Sequence, residues 1–228
     1  YYPLKPGDAA PDAVDADAQE PPRPPVVLVP PMMISADVWD VSPSTSAVAA
    51  LHQAGMDPWV VDFGSPEIEA GGLERTLTDH VIAVSEVVDL VAAATGRSVH
   101  LGGYSQGGMF CYQAAAYRRS RDLESIVTFG SPVDWRDNAP LGVPEKVIVN
   151  VARFVAEYVF SDRPLPGWLA STGFQLLDPL KTARSQVNFL RQLHNREALL
   201  GHERQRRFIG GEGFVAWSGP AIVDMIYR

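Results

Sequence analysis

Val26-Val27-Leu28-Val29 is a run of four apolar residues, three of them β-branched, stopped by Pro30 and Pro31. A run without polar alternation suits a strand covered on both faces. Such segments recur along the chain. Residues 58–63, Pro-Trp-Val-Val-Asp-Phe, read as a second buried strand closed by Gly64. Val99-His100-Leu101 reads as a third strand, with no burial assigned, and residues 123–129 (Leu-Glu-Ser-Ile-Val-Thr-Phe) as a fourth strand ended by Gly130. Between these strands the period lengthens to that of a helix. Val48, Leu51 and Ala54 share one face of residues 46–54. Leu77, Val81, Val84, Val88 and Val91 step by four and three, which predicts a long helix over 77–94 with Gly96 as its stop. A further helix-forming stretch covers 109–117. Strands alternating with helices over short connections predict right-handed crossovers and an α/β fold, a mostly parallel sheet with helices on both faces.

The pattern changes twice. Residues 8–25 are rich in Ala, Asp and Pro and carry no hydrophobic period, as in a linker or surface loop. Beyond Asp134, residues 146–158 and 179–193 read as amphipathic helices and no strong buried strand follows. A helical block placed after a sheet strand is expected to cap the edge where that strand ends. The organisation expected is therefore an N-terminal segment and linker (1–25), an α/β core (26–135) and a mainly helical cap region (136–228).

Hydrophobic residues make up 46 % of the 228, enough to fill the core of one moderately large domain. The net charge of -8 argues against general attraction to nucleic acid or anionic lipid. A single cysteine excludes an internal disulfide framework and fits a reducing cytoplasm. No apolar run is long enough to span a membrane. Five histidines and one cysteine show no metal-ligand spacing, so neither a metal nor another cofactor is expected. The chain opens on Tyr1 rather than methionine and reads as an excerpt.

The third strand leads straight into Gly103-Tyr104-Ser105-Gln106-Gly107, a Gly-x-Ser-x-Gly frame with a helix behind it. A serine lifted out of a sheet on a sharp strand-to-helix turn needs nearly side-chain-free neighbours so that the turn can close. The helix N-terminus then favours negative charge developing beside the hydroxyl. Ser105 is accordingly the candidate catalytic nucleophile. Reactive groups of such sheets lie at the carboxyl ends of the strands. Met32, Ser105 and Asp134 all fall on that edge.

This order of parts resembles the α/β-hydrolase fold, and most closely its polyhydroxyalkanoate synthase and depolymerase branch. The shared features are Val29-Pro30-Pro31, then Trp59-Val60-Val61-Asp62-Phe63 before Gly64-Ser65-Pro66, and Gly-x-Ser-x-Gly where the synthases carry Gly-x-Cys-x-Gly. Later segments match in order: Phe174-Gln175-Leu176-Leu177-Asp178-Pro179, Leu199-Leu200-Gly201 and Ala216-Trp217-Ser218. The whole is similar to the lipase-like half of bacterial bifunctional proteins that join such a domain to a long-chain acyl-CoA synthetase. Serine at the nucleophile position implies ester hydrolysis rather than polymer synthesis. The resemblance also implies that the chain stops near the close of the cap. The remaining core strands, the acidic triad member and the histidine are then expected in a C-terminal segment after Arg228.

An in-chain alternative pairs Asp178 with His202, following the order Ser, Asp, His. Asp134 is a further candidate acid. His194 suits a helix C-terminus, His100 and His80 read as structural, His52 is uninformative, and Cys111 reads as a core thiol on the elbow helix. For the oxyanion hole, the fold implies one backbone N–H from the residue after the nucleophile, Gln106, and one from the loop after the first strand. Met32 is the choice for the second, because Pro30 and Pro31 have no N–H, with Met33 as the fallback. Met33 and Trp217, with Met32, Trp168 and Phe214, could line an acyl pocket, although core packing accounts for each equally well. The expected function is a serine esterase or lipase cleaving acyl-ester lipids through an acyl-enzyme on Ser105. It is expected in the cytoplasm, with a lipid-droplet or membrane-surface setting as a variant. The alternatives are acyl transfer of the synthase type and a non-catalytic lipid-binding module attached to a synthetase.

Overall fold

A computed structural model describes residues 22–42, 45–133, 145–160, 163–176, 179–196, 199 and 213–227. The first strand, β1 (Pro25–Val29), is buried along its whole length. Strands β2 (Asp40–Ser42) and β3 (Thr45–Ser46) form a small antiparallel pair before helix α1 (Ala47–Gln53). They are followed by β4 (Asp57–Val60), α2 (Leu77–Thr95), β5 (Val99–Tyr104), α3 (Gln106–Arg118) and β6 (Leu123–Phe129). The further described elements are helices: α4 (Glu145–Val155), a π-helical turn (Ala156–Phe160), α5 (Gly167–Leu176), α6 (Pro179–Arg191) and α7 (Gly219–Tyr227).

The main sheet is parallel throughout, in the order β4-β1-β5-β6. From β1 the chain steps outward to β4, then crosses back over β1 to β5. The strand order therefore reverses between β1 and β5. A crevice opens at such a reversal, outside the carboxyl ends of the two strands. The loop after β1 and the turn after β5 both lie there.

Alternation along β1 shows why its sequence is continuously apolar. Val27 and Val29 join Val99, Leu101, Val84, Val88, Val91 and Phe110 in the core beneath α2 and α3. Val26 and Leu28 face the other way, with Trp39 and the half-buried Val48 and Leu51 of α1. Each large side chain removed from water in this way contributes roughly 1.5–3 kcal/mol. The crossover α2 is delimited at both ends. Thr76 and Asp79 form a capping box at its start, and Gly96 takes φ 66° at its end.

The structure corrects the second strand. It is shorter than residues 58–63 and it is not buried. Trp59 and Val60 are 39 % and 37 % exposed, because β4 has a neighbour on one side only among the described residues. Apolar content alone cannot tell an edge strand from a central one. Val61 returns to the core as the chain leaves the sheet, donating its N–H to Leu28 O at 2.9 Å. Sequence reading also passed over α5 and α7. The Ser218-Gly219-Pro220 entry to α7 carried a signal, since proline is favoured in the first turn of a helix.

Candidate active site

Ser105 occupies φ 52° and ψ −123°, between the last residue of β5 and the first of α3. Its N–H donates to Phe129 O at 2.8 Å, and its carbonyl accepts the Gly108 N–H at 3.0 Å. The turn is therefore pinned to the end of β6 on one side and to its own helix on the other. Among the described residues the Ser105 hydroxyl has no hydrogen-bond partner. The glycine frame follows from contact distances. A Cβ at Gly103 would lie 2.4 Å from Gly108 Cα, and one at Gly107 would lie 2.0 Å from Val29 O. The second contact, together with the pairing of Val29 and Gly103, seats the elbow against the end of β1.

Gln106 is the first residue of α3, so its N–H has no acceptor within the helix. Its side chain is buried; Nε2 donates to Met225 Sδ at 3.3 Å, and Oε1 is buried without a partner. Met32 follows Pro30-Pro31 in a turn, its side chain 4 % exposed and packed into the main core. The Ile34 N–H closes the turn on Pro31 O at 3.3 Å, and Met33 O accepts the Val215 N–H at 3.0 Å. Met33 is buried too. Trp217 packs against the main core, with its indole N–H buried and unpaired. Its backbone pairs with Leu165 in an antiparallel bridge, while Phe214 pairs with Ile34. Trp168, by contrast, is 68 % exposed, so core packing does not account for it.

No described histidine is bonded to Ser105. His52 accepts from Arg23, and His100 shares a hydrogen bond with Ser125 on the neighbouring strand. His80 is buried, stacked on Phe110 with Phe63 at its edge, and its Nδ1–H donates to Thr76 O at 2.8 Å. Burial holds its pKa below the usual imidazole value. His194 is exposed and follows the end of α6 rather than lying within it. Burial also pushes the Cys111 thiol up to about 12, as an inert core residue requires. Asp134, Asp178 and His202 lie outside the described residues. A cavity of about 310 Å³ lies between the end of β4 and α2, lined by Phe63, Arg75, Asp79 and His80 among others and by no residue of the elbow. Among the described residues no group of three or more His, Cys, Asp or Glu side chains could hold a metal ion, and no helix is long and apolar enough to cross a membrane.

Residues that sequence reading missed lie at the far end of the chain. The Asp224 carboxylate accepts the Leu77 N–H at the start of α2, and Ser218 Oγ donates to Arg75 O at 2.5 Å. With Met225 on Gln106, three contacts from the segment around α7 reach the edge where the strands end.

No family model matches the chain. Over 175 residues, 75 % of this chain and 47 % of the relative, the sequence is 26 % identical to the poly(3-hydroxyalkanoate) polymerase subunit PhaC of Allochromatium vinosum. The chain thus spans about half the length of that curated relative. Among solved structures, a monoacylglycerol lipase of Paleococcus ferrophilus is 17 % identical with a TM-score of 0.49, covering 89 % of this chain and 65 % of that one. A lipase of Bacillus licheniformis in its mature form is 20 % identical with a TM-score of 0.41, covering 51 % and 44 %. The parallel order β4-β1-β5-β6, with a serine elbow between β5 and α3, gives the chain the α/β-hydrolase fold, and in sequence it is similar to the polyhydroxyalkanoate synthase branch of that fold.

Proposed function

We propose that this chain carries the nucleophile of a serine esterase or lipase that cleaves acyl-ester lipids. The observation that carries the reading is the backbone of Ser105, at φ 52° and ψ −123° on a strand-to-helix turn framed by glycines. A non-glycine residue in that region costs about 1–3 kcal/mol, a cost characteristic of functional sites. In this mechanism Ser105 Oγ attacks the ester carbonyl, and the N–H groups of Gln106 and Met32 stabilise the oxyanion. Collapse expels the alcohol and leaves an acyl-enzyme, which water then hydrolyses to the free acid. Met33 and Trp217 would flank the acyl chain, and the helical region from residue 136 onward would cap the crevice and exclude water.

A base must take the serine proton, and among the described residues no histidine is hydrogen-bonded to Ser105 to serve as one. The resemblance favours a histidine carried elsewhere in the native protein, with Asp178 and His202 as the in-chain alternative. A fused acyl-CoA synthetase would consume the released acid, and a lipid surface would suit the substrate.

Acyl transfer is the second reading, favoured by the likeness to a polymerase subunit. In that case an alcohol or thiol, not water, would resolve the acyl-enzyme. A fluorophosphonate probe applied to the native polypeptide should label one serine, Ser105. Ser105→Ala should abolish both labelling and release of free acid from an acyl-ester panel. Labelling that survives the substitution refutes the assignment. A transferred ester formed in place of free acid favours the second reading.

A further inference from the structure

The two amides assigned to the oxyanion hole are held in different ways. Gln106 is the first residue of a 13-residue helix, and the helix fixes the direction of its N–H. Met32 sits in a turn that begins with two prolines, which donate no backbone hydrogen bond. Inside that turn the only backbone bond is the long one from Ile34 to Pro31. The remaining backbone bonds of residues 33–35 to distant residues go to one place. Val215 N–H donates to Met33 O at 3.0 Å, and Ser35 N–H donates to Gly213 O at 2.9 Å. These two bonds flank the antiparallel pair Ile34 and Phe214. The same segment is anchored further along by Trp217 on Leu165, Ser218 on Arg75, Asp224 on Leu77 and Met225 on Gln106.

We propose that residues 213–217 are the positioning element of the oxyanion hole, holding the Met32 amide in its donating pose through the ladder to Met33 and Ser35. This rests on the functional reading above. Neither Gly213 nor Val215 touches the substrate in this scheme; they act through the loop after β1. A donor serves an oxyanion only within about 2.7–3.1 Å of it, so a small loop displacement weakens transition-state binding while leaving ground-state binding nearly intact. Displacement by about 1 Å can cost on the order of 10²-fold in rate. The helical region and the chemistry are thereby coupled, since release of the 213–217 segment disarms one of the two donors.

Ser35 offers a clean test. Its φ is −60°, which proline adopts without strain, and Ile34 before it is paired as extended chain, which a following proline favours. Ser35→Pro therefore removes the N–H that reaches Gly213 with little disturbance of the backbone. Ser35→Ala keeps that N–H and removes only the hydroxyl bond to Asp37. Val215→Pro removes the donor on the other strand, and serves where Ser35→Pro fails to fold. Each proline variant that retains the wild-type melting temperature is expected to lose roughly 10- to 100-fold in kcat and in the rate of Ser105 phosphonylation. KM should stay within about twofold, and affinity for a boronic acid that forms a tetrahedral serine adduct should fall in proportion to kcat/KM. Ser35→Ala should match the wild type. A folded proline variant with wild-type kcat and adduct affinity overturns the coupling. A wild-type protein that the fluorophosphonate does not label overturns the functional reading itself.

Discussion

Ser105 keeps its strained backbone because its surroundings leave no alternative. The Phe129 carbonyl holds its N–H, the Gly108 N–H holds its carbonyl, and Gly103 and Gly107 admit the neighbouring backbone to distances no Cβ would tolerate. Gly107→Ala should therefore act on stability and chemistry together. The added carbon meets the Val29 carbonyl, an atom of a central strand that cannot rotate away. The expected loss is about 1–3 kcal/mol, as for an overpacked core, with a fall in Ser105 phosphonylation. Urea midpoints and labelling rates measure the two effects. Wild-type labelling in a folded Gly107→Ala protein would show that the end of β1 yields easily. Cys111, six residues along the same helix, is a buried free thiol. With its pKa pushed up to about 12, its alkylation by iodoacetamide at pH 8 should be on the order of 10³-fold slower than in urea-unfolded protein. Rapid alkylation of the folded protein would mean that the elbow helix opens locally. The elbow was legible in the sequence because a strand, a glycine frame and a helix are contiguous. The contact that makes Gly107 obligatory was not, since it requires β1 to lie beside β5.

Two buried side chains, Arg118 and His80, tie α2 and α3 to each other. Arg118 of α3 has a side chain 1 % exposed that donates to Ser85 O and Oγ on α2, to Asp89, to Arg121 O and to Asp122. Arg118→Met keeps much of the volume and removes those bonds. Both carboxylates are about half exposed and can rehydrate, so the expected cost is about 1–3 kcal/mol, not that of a fully buried pair. The Arg118 hydrogen bond holds the Asp89 carboxyl below its ordinary pKa of 3.8. Its contribution to stability is complete above that value and lost as pH falls through the depressed native pKa. Arg118→Met should consequently flatten the acid limb of the stability profile below about pH 4. Unfolding free energies from pH 2 to 7 test this, and parallel profiles for the two proteins would refute it. His80 acts in a higher window. Burial lowers its native pKa from 6.5, so as pH falls the unfolded imidazole takes up its proton before the folded one does. Stability is full above about pH 6.5 and declines below it, a loss that His80→Phe should abolish while keeping the stack on Phe110. Equal declines from pH 7.5 to 5.5 in both proteins would show that burial does not withhold the proton. At this scale sequence periodicity served well for α2, whose apolar face and caps are all local, and poorly for β4, whose exposure depends on its place in the sheet.

Across the whole molecule, the sequence reading weakens as contacts lengthen. The four parallel strands and the helices between them were legible in chain order, because each announces itself by its own period, whereas the short antiparallel pair β2 and β3 carried no such signal. The role of residues 213–225 was not. Ser218 reaches Arg75, Asp224 reaches Leu77 and Met225 reaches Gln106, pairings across more than a hundred positions that no local pattern encodes. The apolar surface is another property of the assembled molecule. Along β6, Ile126, Val127 and Phe129 are 37 %, 50 % and 53 % exposed, and among the described residues the strand is paired only with β5. Val147, Val151, Phe154 and Tyr158 line the exposed stripe of α4 and the turn after it, although their spacing reads as a core-facing helix. A parallel strand with a free edge and apolar side chains is a template for association. The 228-residue polypeptide should therefore self-associate in a concentration-dependent manner, seen as a rising weight-average mass in light scattering. Val127→Lys places a charge on that strand and should lower the association while leaving Ser105 phosphonylation in the native protein unchanged, since Val127 takes no part in the elbow. A monomeric wild-type polypeptide at high concentration, or undiminished association of Val127→Lys, would show that β6 does not drive it.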